Sequence, residues 1–297
     1  MSDLAAKAQP GILAPLPPLA RYLTFTLADI DQARDALSAA RDAVDGQLCV
    51  IGLSESVVEG LDASIDGLRL FPALAGPGIE VPSSHGALWC WLRDTDRGRL
   101  VLATRELALR LAPAFELIDV IDAFKFDIGR DLTGYEDGTE NPKGDDAIAA
   151  ALNAGGRGLD GGSFVAVQQW IHNMDRFDDM SDDEQDNAIG RRREDNEELE
   201  DAPESSHVKR TEQESFSPDA FVWRRSMPWA DDANQGLMFV AFGHSFDAFE
   251  VQMRRMTGLD DGIVDAMFKF TRPVTGNYYW CPPMRGGRLD LSALGLG

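Results

Sequence analysis

The sequence predicts an α+β fold built from two halves, on three observations. Strand-like and helix-like runs alternate as strand–helix–strand over residues 22–126, and the same scheme returns over residues 163–272. The strand-like runs are short and turn-bounded, which implies mostly antiparallel pairing in two α+β sandwich halves. Between them lies a break near residues 142–162, where Pro142 precedes Gly155, Gly156, Gly158, Gly161 and Gly162. Such residues punctuate a chain. The expected organisation is an extended N-terminal arm (1–18), a first half (19–142), a linker (143–162), a second half (163–285) and a C-terminal tail (286–297).

Each element carries its own signal. The arm holds Pro10, Pro15, Pro17 and Pro18, whose fixed φ suits an extended segment lying on a neighbouring surface. Residues 22–27 (YLTFTL) are β-like, and Asp29 is placed to cap a helix that buries Ile30, Ala33, Leu37, Ala40 and Val44, three or four residues apart. Residues 48–53 and 87–92 (ALWCWL) are apolar runs suited to buried strands. Leu100, Ala103, Leu107 and Leu111 form a helical stripe, followed by a strand over 117–126.

In the second half, strands are expected at 163–171, 221–225 and 237–242. Phe246, Phe249, Met253 and Met256 mark one helix face, and residues 269–272 begin the closing strand. Residues 178–204 carry 13 acidic side chains against Arg191, Arg192 and Arg193. Ile189 and Leu199 within that run point to an ordered excursion with a helix over residues 182–191.

Composition narrows the function. A formal charge of −22 disfavours nucleic acid and anionic membranes as partners, because their phosphates are repelled. No apolar run approaches the roughly 20 residues of a membrane-spanning helix. The first 18 residues lack a basic n-region, a continuous apolar core and a twin-arginine pair, so the expected location is the cytoplasm. Cys49, Cys90 and Cys281 are far apart and form no CxxC or CxxCH, which argues against a disulfide framework or covalent haem attachment. HExxH, GxSxG and the P-loop pattern do not occur, and GxGxxG opens no strand-to-helix turn, so hydrolase, kinase and Rossmann readings lose their support.

What remains is a polar, glycine-punctuated stretch, Gly134-Tyr135-Glu136-Asp137-Gly138-Thr139-Glu140-Asn141-Pro142. Asp-Gly is a turn signal and Asn-Pro ends the turn. Such a turn is either a plain surface loop or a way to fix one carboxylate over a cavity. The stretch resembles the GxxDG signature of the dye-decolourising peroxidases in its longer form with a trailing NP. Ser206-His207-Val208, 70 residues after Asp137, resembles that family's proximal-histidine segment. Arg224-Arg225-Ser226-Met227-Pro228, 17 residues beyond His207, resembles the strand carrying its distal arginine. Phe270-Thr271-Arg272-Pro273-Val274-Thr275-Gly276 resembles its closing segment. The four motifs stand in the family's order, and the resemblance spans residues 20–285, closest to the compact intracellular branch.

The resemblance implies two ferredoxin-like halves and one haem b per chain, held mainly by the second half. His207 is implied as the iron ligand, with Asp265 as the acidic partner of its second nitrogen. Asp137 is implied as the acid–base group for peroxide, and Arg224 as a permanent positive charge on the same side. Arg225 alternates to the other face of the strand. Ser226 stands where some relatives have asparagine. Arg191 resembles an arginine near a haem propionate, and Leu237 and Phe239 are expected as apolar walls. His85, His172 and His244 have no comparable context and read as structural or exposed.

The implied activity is oxidation of phenolic, dye-like or other aromatic donors by hydrogen peroxide through ferryl intermediates, with Tyr135, Trp170 or Trp223 as candidate electron exits. Two other readings compete: a haem-handling or iron-release protein, and a cofactor-free interaction domain. Relatives form dimers and larger assemblies, so a homo-oligomer is expected. The apolar, glycine-rich residues 288–297 resemble either a docking tail or a signal for loading into a protein shell.

Overall fold

The computed structural model describes residues 3–296; Met1, Ser2 and Gly297, the extreme ends of the expected arm and tail, lie outside the described residues. Eight strands form its centre: β1 (Leu19–Leu27), β2 (Cys49–Leu53), β3 (Leu88–Asp94), β4 (Phe115–Phe124), β5 (Ser163–His172), β6 (Met227–Ala230), β7 (Gln235–Gly243) and β8 (Asn277–Cys281). They pair antiparallel in the order β5-β8-β2-β3-β1-β4-β6-β7, and β7 pairs back onto β5. The result is a closed barrel.

The α+β class and the antiparallel pairing hold. The antiparallel sheets of the two halves, expected to pack together, join edge to edge at two seams, Leu53 opposite Trp280 and Ala123 opposite Trp229. Closure brings together the outer strands β2 with β8 and β4 with β6, which two open sheets would leave as edges. Strand alternation then divides the apolar residues. Tyr22, Trp89, Trp91, Val167, Val240, Phe242 and Tyr279 fill the inside. Leu23, Phe25, Ile51, Cys90, Phe164 and Trp280 face outward under helices. Strands buried on both faces read as unbroken apolar runs, which is why ALWCWL and LMFVAF show no alternation.

Four helices matter here: α1 (Ala33–Ala43), α2 (Arg97–Leu111), α3 (Asp182–Ile189) and α4 (Asp247–Met256). Asp29 accepts from the Asp31 amide and starts the turn leading into α1, which buries Ala33, Leu37 and Ala40 as expected. In α2 the buried stripe is Leu100, Thr104, Leu107 and Leu111 rather than one through Ala103, which is exposed. On α4, Phe249, Met253 and Met256 are buried, as is Phe246 before it.

Other expectations change. The arm is not extended throughout: Asp3–Lys7 and Pro10–Leu13 are helical, with Pro10 at a first helical position where its missing N–H costs nothing. Between them Gln9 is fully buried; its amide donates to the carbonyls of Ile51 (2.9 Å) and Pro282 (3.0 Å) and accepts from the Ile51 amide (2.9 Å). That side chain bridges the seam between β2 and β8. The linker contains a helix, Asp145–Ala151. The strand expected over 221–225 shrinks to Trp223–Arg224, while β6 was not foreseen. Residues 269–272 give only the short edge strand Thr271–Pro273, and the closing strand is β8. In the tail, Leu289, Leu291 and Leu294 are buried in the outer core.

Candidate functional site

A cavity of about 1490 Å³, counting its open mouth, lies on the outer face of β5 and β7. Gln168, Trp170 and His172 of β5 alternate toward it, as do Leu237 and Phe239 of β7. Phe249, Met253 and Met256 supply an apolar wall from α4. Leu237 and Phe239 thus both line this cavity.

His207 begins the single-turn helix His207–Arg210 and lines the cavity. Its Nδ1 lies 2.8 Å from Oδ2 of Asp265. Asp265 is 1% exposed, and its other oxygen accepts from the Met267 amide at 2.9 Å. A hydrogen bond from Nδ1 to this carboxylate makes Nε2 the ring nitrogen available to a ligand. An imidazole held this way suits a metal ligand, because a carboxylate behind the ring raises its basicity.

Asp137 and Arg224 line the same cavity, with Nη1 of Arg224 3.5 Å from Oδ1 of Asp137. The Asp137 turn needs Gly138, whose φ is +76° and where a Cβ would stand 2.8 Å from Nδ2 of the Asn141 side chain. Asn141 then clamps Arg224: its Oδ1 accepts from the Arg224 amide (2.8 Å) and its Nδ2 donates to the Arg224 carbonyl (3.0 Å). The sequence reading did not single out Asn141, although its place four residues after Asp137 in the motif was the available signal.

Arg225 points away, its guanidinium 3.9 Å from the Trp223 ring centroid and its Nε donating to the Ile12 carbonyl at 3.4 Å. Burial pushes its pKa down to about 10. Ser226 is a correction. It is buried, its hydroxyl accepts from the Val240 amide at 3.5 Å, and it is not among the residues lining the cavity. The strand holding Arg224 ends there and the next begins at Met227, so the period-two alternation from Arg224 does not extend to Ser226.

Arg191 follows Gly190, the left-handed cap of α3, and lines the cavity. Its guanidinium bonds Glu140 and donates to the Asn196 carbonyl at 3.0 Å. Helix α3 itself starts in a capping box of Ser181 and Glu184, so the acidic excursion is ordered as expected.

His172 was read as structural or exposed; it is buried and lines the cavity. Its Nε2 lies 3.0 Å from Asp131 and its Nδ1 2.7 Å from the Thr271 hydroxyl. Burial pushes the Asp131 carboxyl up, but bonds from His172 and Thr133 outweigh this and hold it below the usual carboxylate range. Tyr135 donates its hydroxyl to Asp186, and burial together with that carboxylate pushes the phenol well up, so it stays protonated. Gln168 is fully buried at the cavity wall, and its Nε2 has no hydrogen-bond partner among the described residues. A large apolar hollow, a free imidazole nitrogen and an unpartnered buried donor fit a flat group with polar edges better than water.

Comparison with known proteins agrees with this chemistry. The family model described as "Dyp-type peroxidase, C-terminal" matches residues 129–286. A dye-decolorizing peroxidase of Rhodococcus erythropolis is 30% identical over 94% of this chain and 87% of its own length. One of Mycobacterium tuberculosis is 29% identical over 95% and 90%. Among solved structures, the dye-decolorizing protein from V. cholerae has a TM-score of 0.83 at 29% identity, covering 92% of this chain and 96% of its own. A DypB variant of Rhodococcus jostii in complex with heme has a TM-score of 0.85 at 26% identity, covering 91% and 94%.

Proposed function

The chain belongs to the Dyp-type peroxidase family, and on that premise we propose that it binds one haem b and uses hydrogen peroxide to oxidise phenolic, dye-like or other aromatic donors. The observation that carries the haem assignment is the 2.8 Å contact between Nδ1 of His207 and Asp265, which leaves Nε2 free toward the cavity. Trp170, Leu237, Phe239 and Met253 offer the apolar contact a porphyrin needs, and Arg191 a cation for one propionate. The bound haem supplies the iron on which peroxide is reduced.

The chain's own residues do the rest. Asp137 takes the proton from one peroxide oxygen and returns it to the other, which makes the departing oxygen a water. The Arg224 guanidinium stabilises the negative charge that builds on the oxygens meanwhile. Asn141 fixes the Arg224 backbone to the Asp137 turn, so the two groups move as one. The chain order of each set of four barrel strands supports a reading of two ferredoxin-like halves: β4-β1-β3-β2 in the first and β8-β5-β7-β6 in the second.

The test is the absorption spectrum of the purified, haem-loaded protein before and after one equivalent of peroxide. A Soret band that changes on addition, and that is lost or altered in His207→Ala, is the expected result. Asp137→Ala and Arg224→Ala are each expected to slow the reaction with peroxide by about 10²–10³-fold. Unchanged rates in both would refute the distal assignment. Loss of iron from an otherwise intact tetrapyrrole after turnover, read by mass spectrometry, would favour iron release over peroxidase chemistry.

A further inference from the structure

The barrel has a second hollow, at the end away from Gln9. It is lined by Thr24 and Thr26 of β1, His85 and Gly86 before β3, Asp119 and Ile121 of β4, Val167 and Gln169 of β5, Met238 of β7 and Asn277 of β8. Of the stacked aromatic side chains inside the barrel, Tyr22 lines it. Tyr22 stacks against Trp89 at 6.2 Å, and Trp89 against Tyr279 at 6.1 Å.

Two features of this hollow lack an explanation in the fold. The hydroxyls of Tyr22 and Tyr279 are both buried, and neither has a hydrogen-bond partner among the described residues. A buried donor left so costs about 1–3 kcal/mol, an arrangement expected where something else supplies the acceptor. Tyr279 does not line the hollow, but its hydroxyl lies behind residues that do: a Cβ on Gly86 would come within 2.2 Å of it, 2.7 Å of Thr24 Cγ2 and 3.2 Å of Asn277 Oδ1. Any side chain larger than glycine at position 86 would fill this corner. Burial keeps both phenols protonated, so they offer donors and not charge. At the exposed lip stands Asp119, with no cation paired to it among the described residues and its carboxyl pushed above the usual range by partial desolvation.

We propose that this barrel mouth is a binding site for a small neutral phenol that carries a carbonyl or ether oxygen opposite its hydroxyl. The acceptor oxygen takes the Tyr22 hydroxyl at the inner end, the ring lies against Ile121, Val167 and Met238, and the phenolic hydroxyl donates to Asp119. Anionic aromatics are disfavoured by that carboxylate and by a chain charge of −22. The hollow shares its wall with the first cavity, since Val167, Gln169 and Met238 face one while Gln168, Trp170 and Phe239 face the other. A phenol held there stands one β-layer from the proposed haem, placed to serve as reductant; that role rests on the proposed peroxidase function. Two phenols, each giving up one electron and its hydroxyl proton, reduce one hydrogen peroxide to two waters.

The test is direct titration of the haem-loaded protein with 4-hydroxyacetophenone, following tryptophan fluorescence and the Soret band together. Saturable quenching with an unmoved Soret band is expected. Tyr22→Phe removes a hydroxyl that bonds nothing in the fold, so it leaves thermal stability in place and weakens binding about fivefold, one hydrogen bond's worth. Asp119→Ala, at an exposed position, is expected to act similarly, and 4-hydroxybenzoate to bind at least about tenfold more weakly. Equal affinity in wild type and both variants, or binding seen only as a Soret shift, overturns the proposal. A protein that takes up no haem refutes the proposed function instead; the quenching and its loss in Tyr22→Phe would be unaffected.

Discussion

Asp265→Asn tests the step on which the haem assignment turns. In the native chain one oxygen of Asp265 faces Nδ1 of His207 at 2.8 Å and the other accepts the Met267 amide at 2.9 Å, with the side chain inaccessible to solvent. Asparagine keeps one acceptor but replaces the other with an NH₂, so one of the two donors must meet another donor in a dry place. Removing the partner of a ligating histidine costs about 10–100-fold in metal affinity, about 1.4–2.7 kcal/mol. The carboxylate favours the more highly charged iron, so the loss falls chiefly on the ferric state. If tenfold is lost there alone, the ferric–ferrous midpoint rises by about 59 mV. The assays are spectroelectrochemical titration and the rate of haem transfer to an excess of a second apoprotein, with circular dichroism as the check on folding. A folded Asp265→Asn protein with an unmoved midpoint and native haem retention would refute the claim that this carboxylate tunes His207.

Other expectations follow from particular contacts. Asn141→Ala frees both sides of the Arg224 backbone and is expected to slow the peroxide reaction at least about tenfold while the resting Soret band stays native; stopped-flow absorbance measures this. The Asp131 carboxyl is held below its unfolded value of about 3.9, so its contribution is present above that pH and lost as pH falls through the lower native value. Asp131→Asn should therefore flatten the fall in stability below about pH 4, read by urea unfolding at stepped pH. Leu294→Ala empties a buried position in the outer core and is expected to cost about 2–5 kcal/mol in the same assay; a cost near zero would mean that the tail does not dock as described.

What the sequence offered at the site came through resemblance to family segments: Asp137 stands in a turn that needs glycine at Gly138, His207 and Arg224 in two further segments, and Asp265 on the stretch before the closing one. Ser226 shows the limit. Strand alternation cannot be carried from Arg224 to Ser226, because the strand ends at Arg224 and the next begins at Met227. His172 shows the converse: its partners Asp131 and Thr271 lie 41 and 99 residues away, and no local pattern marks them.

The sequence by itself determined the α+β class and most helices and strands, because these follow from periodicity and turn chemistry, while Asp137, His207 and Arg224 were marked by the resemblance of their segments to the Dyp-type peroxidases. Tertiary structure alone decided that the two sheets close into one barrel. That closure depends on two seams of a single residue pair each, Leu53 with Trp280 and Ala123 with Trp229, and on Gln9 reaching Ile51 and Pro282 from the chain's other end. Edge pairing of this kind is set by which surfaces meet once helices have covered the outer faces, and a linear pattern carries no term for it.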